Sequence, residues 1–172
     1  METMRMRLAT IDEVPAIMEI VRGVVPVMRA AGNLQWSEDY PNPEVFLEDI
    51  ARDQLWVAEV DGRVAGVVAL TTDQAPEYAD VGWDISEPAI VVHRLAVSPE
   101  FQGRGVAIAL MEQAEAVARV RGIAQVRVDT NTQNQVTQRL LPKLGYRLVG
   151  EIGLEFRPGL RFFCYEKFVD SA

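Results

Sequence analysis

Leu95-Ala96-Val97-Ser98-Pro99-Glu100-Phe101-Gln102-Gly103-Arg104-Gly105-Val106-Ala107 is the stretch on which the fold turns. An apolar strand end passes through a Ser-Pro turn into a glycine-bearing helix start. The first turn of a helix leaves backbone N–H groups without intrahelical partners and carries the positive end of the dipole. Glycine at 103 and 105 lets an anion approach that backbone without a Cβ in the way, and Arg104 adds a cation. The segment therefore has the makings of a diphosphate cradle. Two rival nucleotide motifs are excluded: there is no Gly-Lys-Ser/Thr, and Ile108 stands where Gly-x-Gly-x-x-Gly needs its third glycine. Spacing alone leaves open a plain helix N-terminus with flexible glycines.

Working outward, Ala89 to Val97 is a strongly apolar strand. Gly103 to Arg121 carries Ala107, Leu110, Met111, Ala114, Val117 and Ala118 at helical spacing, with Gly122 as the stop. Gln125 to Thr130 predicts a strand. Asn134 to Leu144 predicts a helix containing Pro142 and ended by Gly145. Tyr146 to Gly150 and Leu160 to Phe168 are the last strands. Upstream, Leu55 to Val60 and Val64 to Thr71 flank Asp61-Gly62, a hairpin signature. Between this hairpin and the apolar strand, Asp73 to Pro88 reads as a loop. Arg5 to Ala9 is a short strand. Thr10 and Glu13 have the form of a capping box for a helix carrying Val14, Ile17, Met18 and Val21. Pro26 should kink or interrupt that helix before it fades at Gly32-Asn33. Pro43 to Ala51 predicts a second helix with Val45, Phe46, Leu47 and Ile50 on its buried side. The expected architecture is α/β (α+β), a mixed and mostly antiparallel twisted sheet of about seven strands with helices on both faces.

Composition narrows the function classes. The 172 residues, 49% apolar and 24% charged, suit one domain, residues 5–172, with a substantial core. The net charge of −8 argues against a nucleic-acid partner and favours a cationic substrate such as an amine. There is no apolar run of membrane-spanning length, and Met1 to Leu8 does not read as a secretory signal. A cytoplasmic protein is expected. Cys164, the single cysteine, sits in the strand-like Phe162-Phe163-Cys164-Tyr165 and reads as a small buried hydrophobe. With one cysteine and one histidine, no metal site is expected.

Gln102-Gly103-Arg104-Gly105-Val106-Ala107 resembles the Gln/Arg-x-x-Gly-x-Gly/Ala signature of GNAT acetyltransferases, preceded by their Leu-Ala-Val strand end. Asn134 followed by Lys143-Leu144-Gly145-Tyr146 is similar to a later segment of the same superfamily, and the order of elements matches throughout. The resemblance implies an N-acetyltransferase that uses acetyl-CoA as co-substrate. The backbone at Leu95, Ala96 and Val97 would pair with the pantetheine arm in the manner of an added strand. Gln102, Gly103, Arg104, Gly105, Val106 and Ala107 would take the pyrophosphate, and Asn134 would bond the arm near its thiol end.

Transfer of an acetyl group to an amine needs a base and a donor for the oxyanion. The backbone N–H of Val97 is the oxyanion candidate. His93, the only histidine, titrates near neutrality and is the base candidate, its alternative being a packed strand residue. Arylalkylamine acetyltransferases, in the same superfamily, carry a histidine at the corresponding place. Alternation puts Val91, His93, Leu95 and Val97 on one face. Many family members have a tyrosine seven residues after the motif asparagine, as general acid. Here Leu141 stands there, and neither Tyr146 nor Tyr165 can be assigned the role. Trp36, Glu38 and Tyr40 are candidate acceptor contacts, the alternative being a surface loop pinned by two aromatics. The acidic loop around Tyr78 and Trp83 is a candidate second wall, its carboxylates reading equally as a solvated face. With no activated nucleophile in view, a primary amine would attack directly in a ternary complex. The alternatives are a non-catalytic acyl-CoA-binding or sensing domain and an acyltransferase using a longer acyl chain. A homodimer is left open.

Overall fold

A computed structural model of the chain describes residues 3–170; Met1 and Glu2, and the last two residues of the expected 5–172 span, lie outside the described residues. In chain order the elements are β1 (Met4–Leu8), α1 (Val14–Ala30), α2 (Pro43–Ala51), β2 (Leu55–Val60), β3 (Arg63–Thr71), β4 (Ile90–Val97), α3 (Val106–Val120), β5 (Gln125–Asn131), α4 (Gln135–Lys143), β6 (Arg147–Leu154) and β7 (Arg157–Phe168). Seven strands form one sheet in the order β1-β2-β3-β4-β5-β7-β6. Every pairing is antiparallel except β4 with β5. The fold class is the expected one. Among the described residues no helix is long and apolar enough to cross a membrane.

The period of two along the strands sorts the core into layers. Ala58, Val60, Val68, Leu70, Ile90 and Val92 face α3 and α4. Val57, Val67, Ala69 and Ala96 face α1 and α2 on the opposite side. Val91, Phe162 and Cys164 continue that second face, under Tyr78 and Trp83 from the segment between β3 and β4. The β2–β3 turn forms as expected: Asp61 and Gly62 have φ of +49° and +82°, the pair of left-handed conformations a two-residue hairpin needs.

Several expectations are corrected. Pro26 does not stop α1, which runs on to Ala30. The hydrogen bond it forgoes belongs to the carbonyl of Arg22, and both residues are exposed, so water can serve there. On α2, Leu47 is exposed and Asp49 is buried instead. α3 begins at Val106 and not at Gly103, because Gly103 and Gly105 adopt φ of +78° and +79°, which a right-handed helix excludes. The last two strands are longer than expected. Gly150 does not end β6; a Cβ there would lie 2.7 Å from Val81, so the glycine admits the neighbouring segment to the sheet.

Candidate active site

The site begins where the sheet comes apart. β4 and β5 pair only through Ile90–Val126, Val91–Arg127 and Val92–Val128. Beyond Val92 each strand continues, β4 to Val97 and β5 to Asn131, without the other. A bulge drives the separation. Ala69 is opposite His93 and Val67 opposite Ala96, so Arg94 and Leu95 together face Val68. Arg94 takes φ of +52°, in the left-handed region, at a cost of about 1–2 kcal/mol for a residue with a Cβ.

Two consequences follow for the backbone and the side chains. The N–H of Ser98 donates to the carbonyl of Ala65 at 2.8 Å, toward β3. Alternation then aims the N–H groups of Val97 and Leu95 the other way, into the gap, while Ala96 faces β3. The bulge also overturns the expected common face of Val91, His93, Leu95 and Val97. Leu95 and Val97 pack on the α3 side with Ile90 and Val92. Val91, and with it His93 two residues on, lie on the opposite face.

The loop from Gln102 to Gly105 is exposed at the end of this gap. A Cβ built on Gly103 or Gly105 would meet nothing within 4 Å, so space is open above both. No side chain caps α3 among the described residues. Val106 is buried against the sheet and Ala107 is half-buried. The guanidinium of Arg104 lies 5.3 Å from the Phe101 ring centroid. Asn134 caps α4: its Oδ1 accepts from the N–H of Thr137 at 3.2 Å, which leaves the side-chain NH2 as donor.

A cleft of about 130 Å³ opens at the gap, with His93, Leu95, Asn134 and Leu141 among its lining. His93 Nε2 is 3.5 Å from the carbonyl of Asp73. Burial pushes its pKa below 6.5, the attraction of Asp129 pulls upward, and Arg94 pushes further down. Asp129 moves oppositely: burial raises its pKa, while a hydrogen bond from Tyr78 and the charge of His93 hold it back. Tyr78 donates its hydroxyl to Asp129 Oδ2. Burial, and then Asp129, hold that phenol well above its ordinary value. The cleft thus presents a neutral-leaning imidazole beside a carboxyl group, which suits proton removal from an ammonium.

The expected acceptor residues divide. Trp36 and Tyr40 line the cleft. Glu38 is exposed outside it. Tyr78 and Trp83 are not a second wall: both are buried, their rings in edge contact at 4.9 Å, with Arg127 4.8 Å from Trp83. Cys164 is buried as expected. Burial first, and Asp129 second, push its thiol up to about 12, which removes it as a nucleophile at neutral pH. Tyr146 and Tyr165 do not line the cleft, whereas the fully buried Leu141 does.

Three contributors escaped the sequence. Arg94 donates to Asp49 through Nε at 2.7 Å and Nη2 at 2.6 Å, and through Nη1 to the Tyr40 hydroxyl at 3.3 Å. Burial works against the guanidinium, the Asp49 bonds outweigh it, and the pKa of Arg94 rises. Asp129 and Arg157 are the others. The available signals were a charge on the apolar face of α2 and charges at 127 and 129 between valines of β5.

The architecture has known counterparts. A structure described as an acetyltransferase of the GNAT family from Streptococcus agalactiae aligns over 98% of this chain and 96% of its own, at 28% identity and a TM-score of 0.84. yncA of Salmonella typhimurium, whose structure holds acetyl-CoA, shares the fold at 20% identity and a TM-score of 0.72, over 99% and 96% of the two chains. Mouse N-acetyltransferase 8B is 27% identical over 115 residues, 63% of this chain and 47% of the mouse protein. This chain therefore spans about half the length of that relative. The model of the acetyltransferase (GNAT) family matches residues 26–146, which takes in the bulged strand, the glycine loop and the asparagine cap. On that match, covering well over half of its length, the chain belongs to the acetyltransferase (GNAT) family.

Proposed function

We propose that residues 5–172 form an N-acetyltransferase domain that moves an acetyl group from acetyl-CoA to a primary amine, by direct attack in a ternary complex. One observation carries the proposal: an unpaired β4 edge leads into an uncapped helix start with open space over its glycines. The two parts of the coenzyme need two such surfaces in succession. Leu95 and Val97 would pair with the pantetheine arm, and Gln102 to Ala107 would hold the pyrophosphate on exposed amides. The NH2 of Asn134 would donate to the arm from the far side of the gap. Bound acetyl-CoA supplies the thioester.

The chain supplies the rest. His93 takes a proton from the acceptor's ammonium, assisted by the negative charge of Asp129. The N–H of Val97, aimed into the gap, faces the oxygen that gains charge as the amine attacks. Leu141 offers no proton to the sulfur. A thiol ionises with a pKa of about 8.5, so the thiolate can depart without a donor at that place.

Calorimetry with CoA and acetyl-CoA tests the binding half. Wild type should bind both, and Gly105→Val should weaken binding at least about ten-fold, since a β-branched residue is strained at positive φ and its side chain fills the open space. No affinity for either compound overturns the proposal. Thiol release across an amine panel tests the chemical half: binding without release identifies an acyl-CoA-binding domain. Comparing kcat/KM for acetyl-, propionyl- and succinyl-CoA identifies the acyl chain.

A further inference from the structure

Arg157 opens β7 and lines the cleft together with Tyr40, Phe156 and Gln35. Its charge is treated unlike that of several other arginines. Arg7, Arg94, Arg127 and Arg161 each hold a carboxylate oxygen, at 2.6, 2.6, 2.9 and 2.8 Å. Among the described residues no carboxylate pairs with Arg157. Instead Nε donates to the carbonyl of Gln35 at 3.1 Å and Nη1 to the carbonyl of Phe156 at 3.0 Å. The plane is held 4.6 Å from the Tyr40 ring centroid and 5.0 Å from that of Phe156. Two carbonyls and two rings therefore orient the guanidinium, and Nη2 donates to none of the described residues. A guanidinium fork fixed in this way recognises a carboxylate well.

The remaining charges give the cleft a polarity. The other lining arginine, Arg94, is neutralised by Asp49. The carboxyl of Asp129 lies with His93 in the same lining. One region thus receives a cation and another an anion.

We propose that the acceptor is an amine that also bears a carboxylate, an amino acid or short peptide, with its ammonium toward His93 and Asp129 and its carboxylate on Arg157. This rests on the acyltransferase reading above for its chemistry but not for its binding. Arg157 would act as a specificity-determining residue.

The test pairs the standard amino acids with their C-terminal primary amides, in two measurements. Calorimetry reads equilibrium binding to the full chain, and thiol release with acetyl-CoA reads turnover. The expected result is a preference of about ten-fold or more for at least one free acid over its amide, expressed mainly in KM. Arg157→Gln should bring that ratio close to one. Arg157→Lys, which keeps the charge but not the fork, should retain part of it and serves if Arg157→Gln melts early. Carboxylate-dependent binding without thiol release supports this proposal and defeats the acyltransferase reading. Thiol release with amides as good as acids defeats this proposal and leaves that reading standing. No binding by any free acid overturns it as well.

Discussion

Asp49→Ala should be among the most damaging single substitutions in this chain. The Asp49 side chain is 3% exposed and that of Arg94 is 15% exposed, with two hydrogen bonds between them of 2.6 and 2.7 Å. Gln54 adds a third bond to Asp49, at 3.0 Å. Removing the carboxylate leaves a guanidinium that cannot lose its proton and reaches little water. Breaking such a pair costs roughly 3–5 kcal/mol. At about 2–4 °C per kcal/mol for a chain of this size, Tm should fall by roughly 6–20 °C. Arg94 also holds the left-handed conformation that turns Leu95 and Val97 toward the gap. Affinity for CoA should therefore drop with stability, even well below the melting range. Differential scanning calorimetry and titration with CoA read the two effects. Asp49→Asn, which keeps the shape and one acceptor, should lie between wild type and Asp49→Ala. A Tm for Asp49→Ala within about 2 °C of wild type would refute the reasoning, because it would place the freed guanidinium in water.

Two further outcomes are expected. If His93 is the base, kcat/KM should rise through an acidic limb lying below 6.5, because burial lowers its pKa, and His93→Gln should remove that limb and slow turnover by about 10²–10⁴; an unchanged pH–rate profile excludes the role. Glu13 accepts from Arg7 at 2.8 and 2.6 Å and from the Thr10 N–H at 2.9 Å; the Arg7 bonds foremost hold its pKa down at about 2, against 4.5 in the unfolded chain. Its stabilisation is complete above 4.5 and is lost as pH falls toward 2, so denaturation curves of Glu13→Gln and wild type should converge in acid and differ by about 1–2 kcal/mol at neutral pH.

Most of the scaffold was legible because local signals and burial agreed. The Asp61-Gly62 turn fixes a hairpin by itself, and the apolar stripe of α3 matches the sheet it covers. The glycines at 103 and 105 were legible too, although they lie before the helix and not inside it. What stayed hidden depended on distant partners. The two-residue period predicts one face for His93 and Leu95, yet a bulge answers to the register with β3 and leaves no mark in β4 alone. Tyr78 and Trp83 sit in an acidic loop that reads as solvated, but burial of both rings against β4 and β7 takes them into the core. Arg157 is, in the sequence, one charge beside a turn; only the approach of Tyr40 and Gln35, more than a hundred residues earlier, makes it part of the cleft.

The single parallel seam has a mechanical consequence. One antiparallel half of the sheet is β1 to β4 and the other is β5 to β7, and within the sheet three residue pairs join them. A rod-shaped guest bonded to both lips of the open portion would add rungs to that seam. Loading would then brace the two halves, and resistance to shear between them would become a property the guest confers.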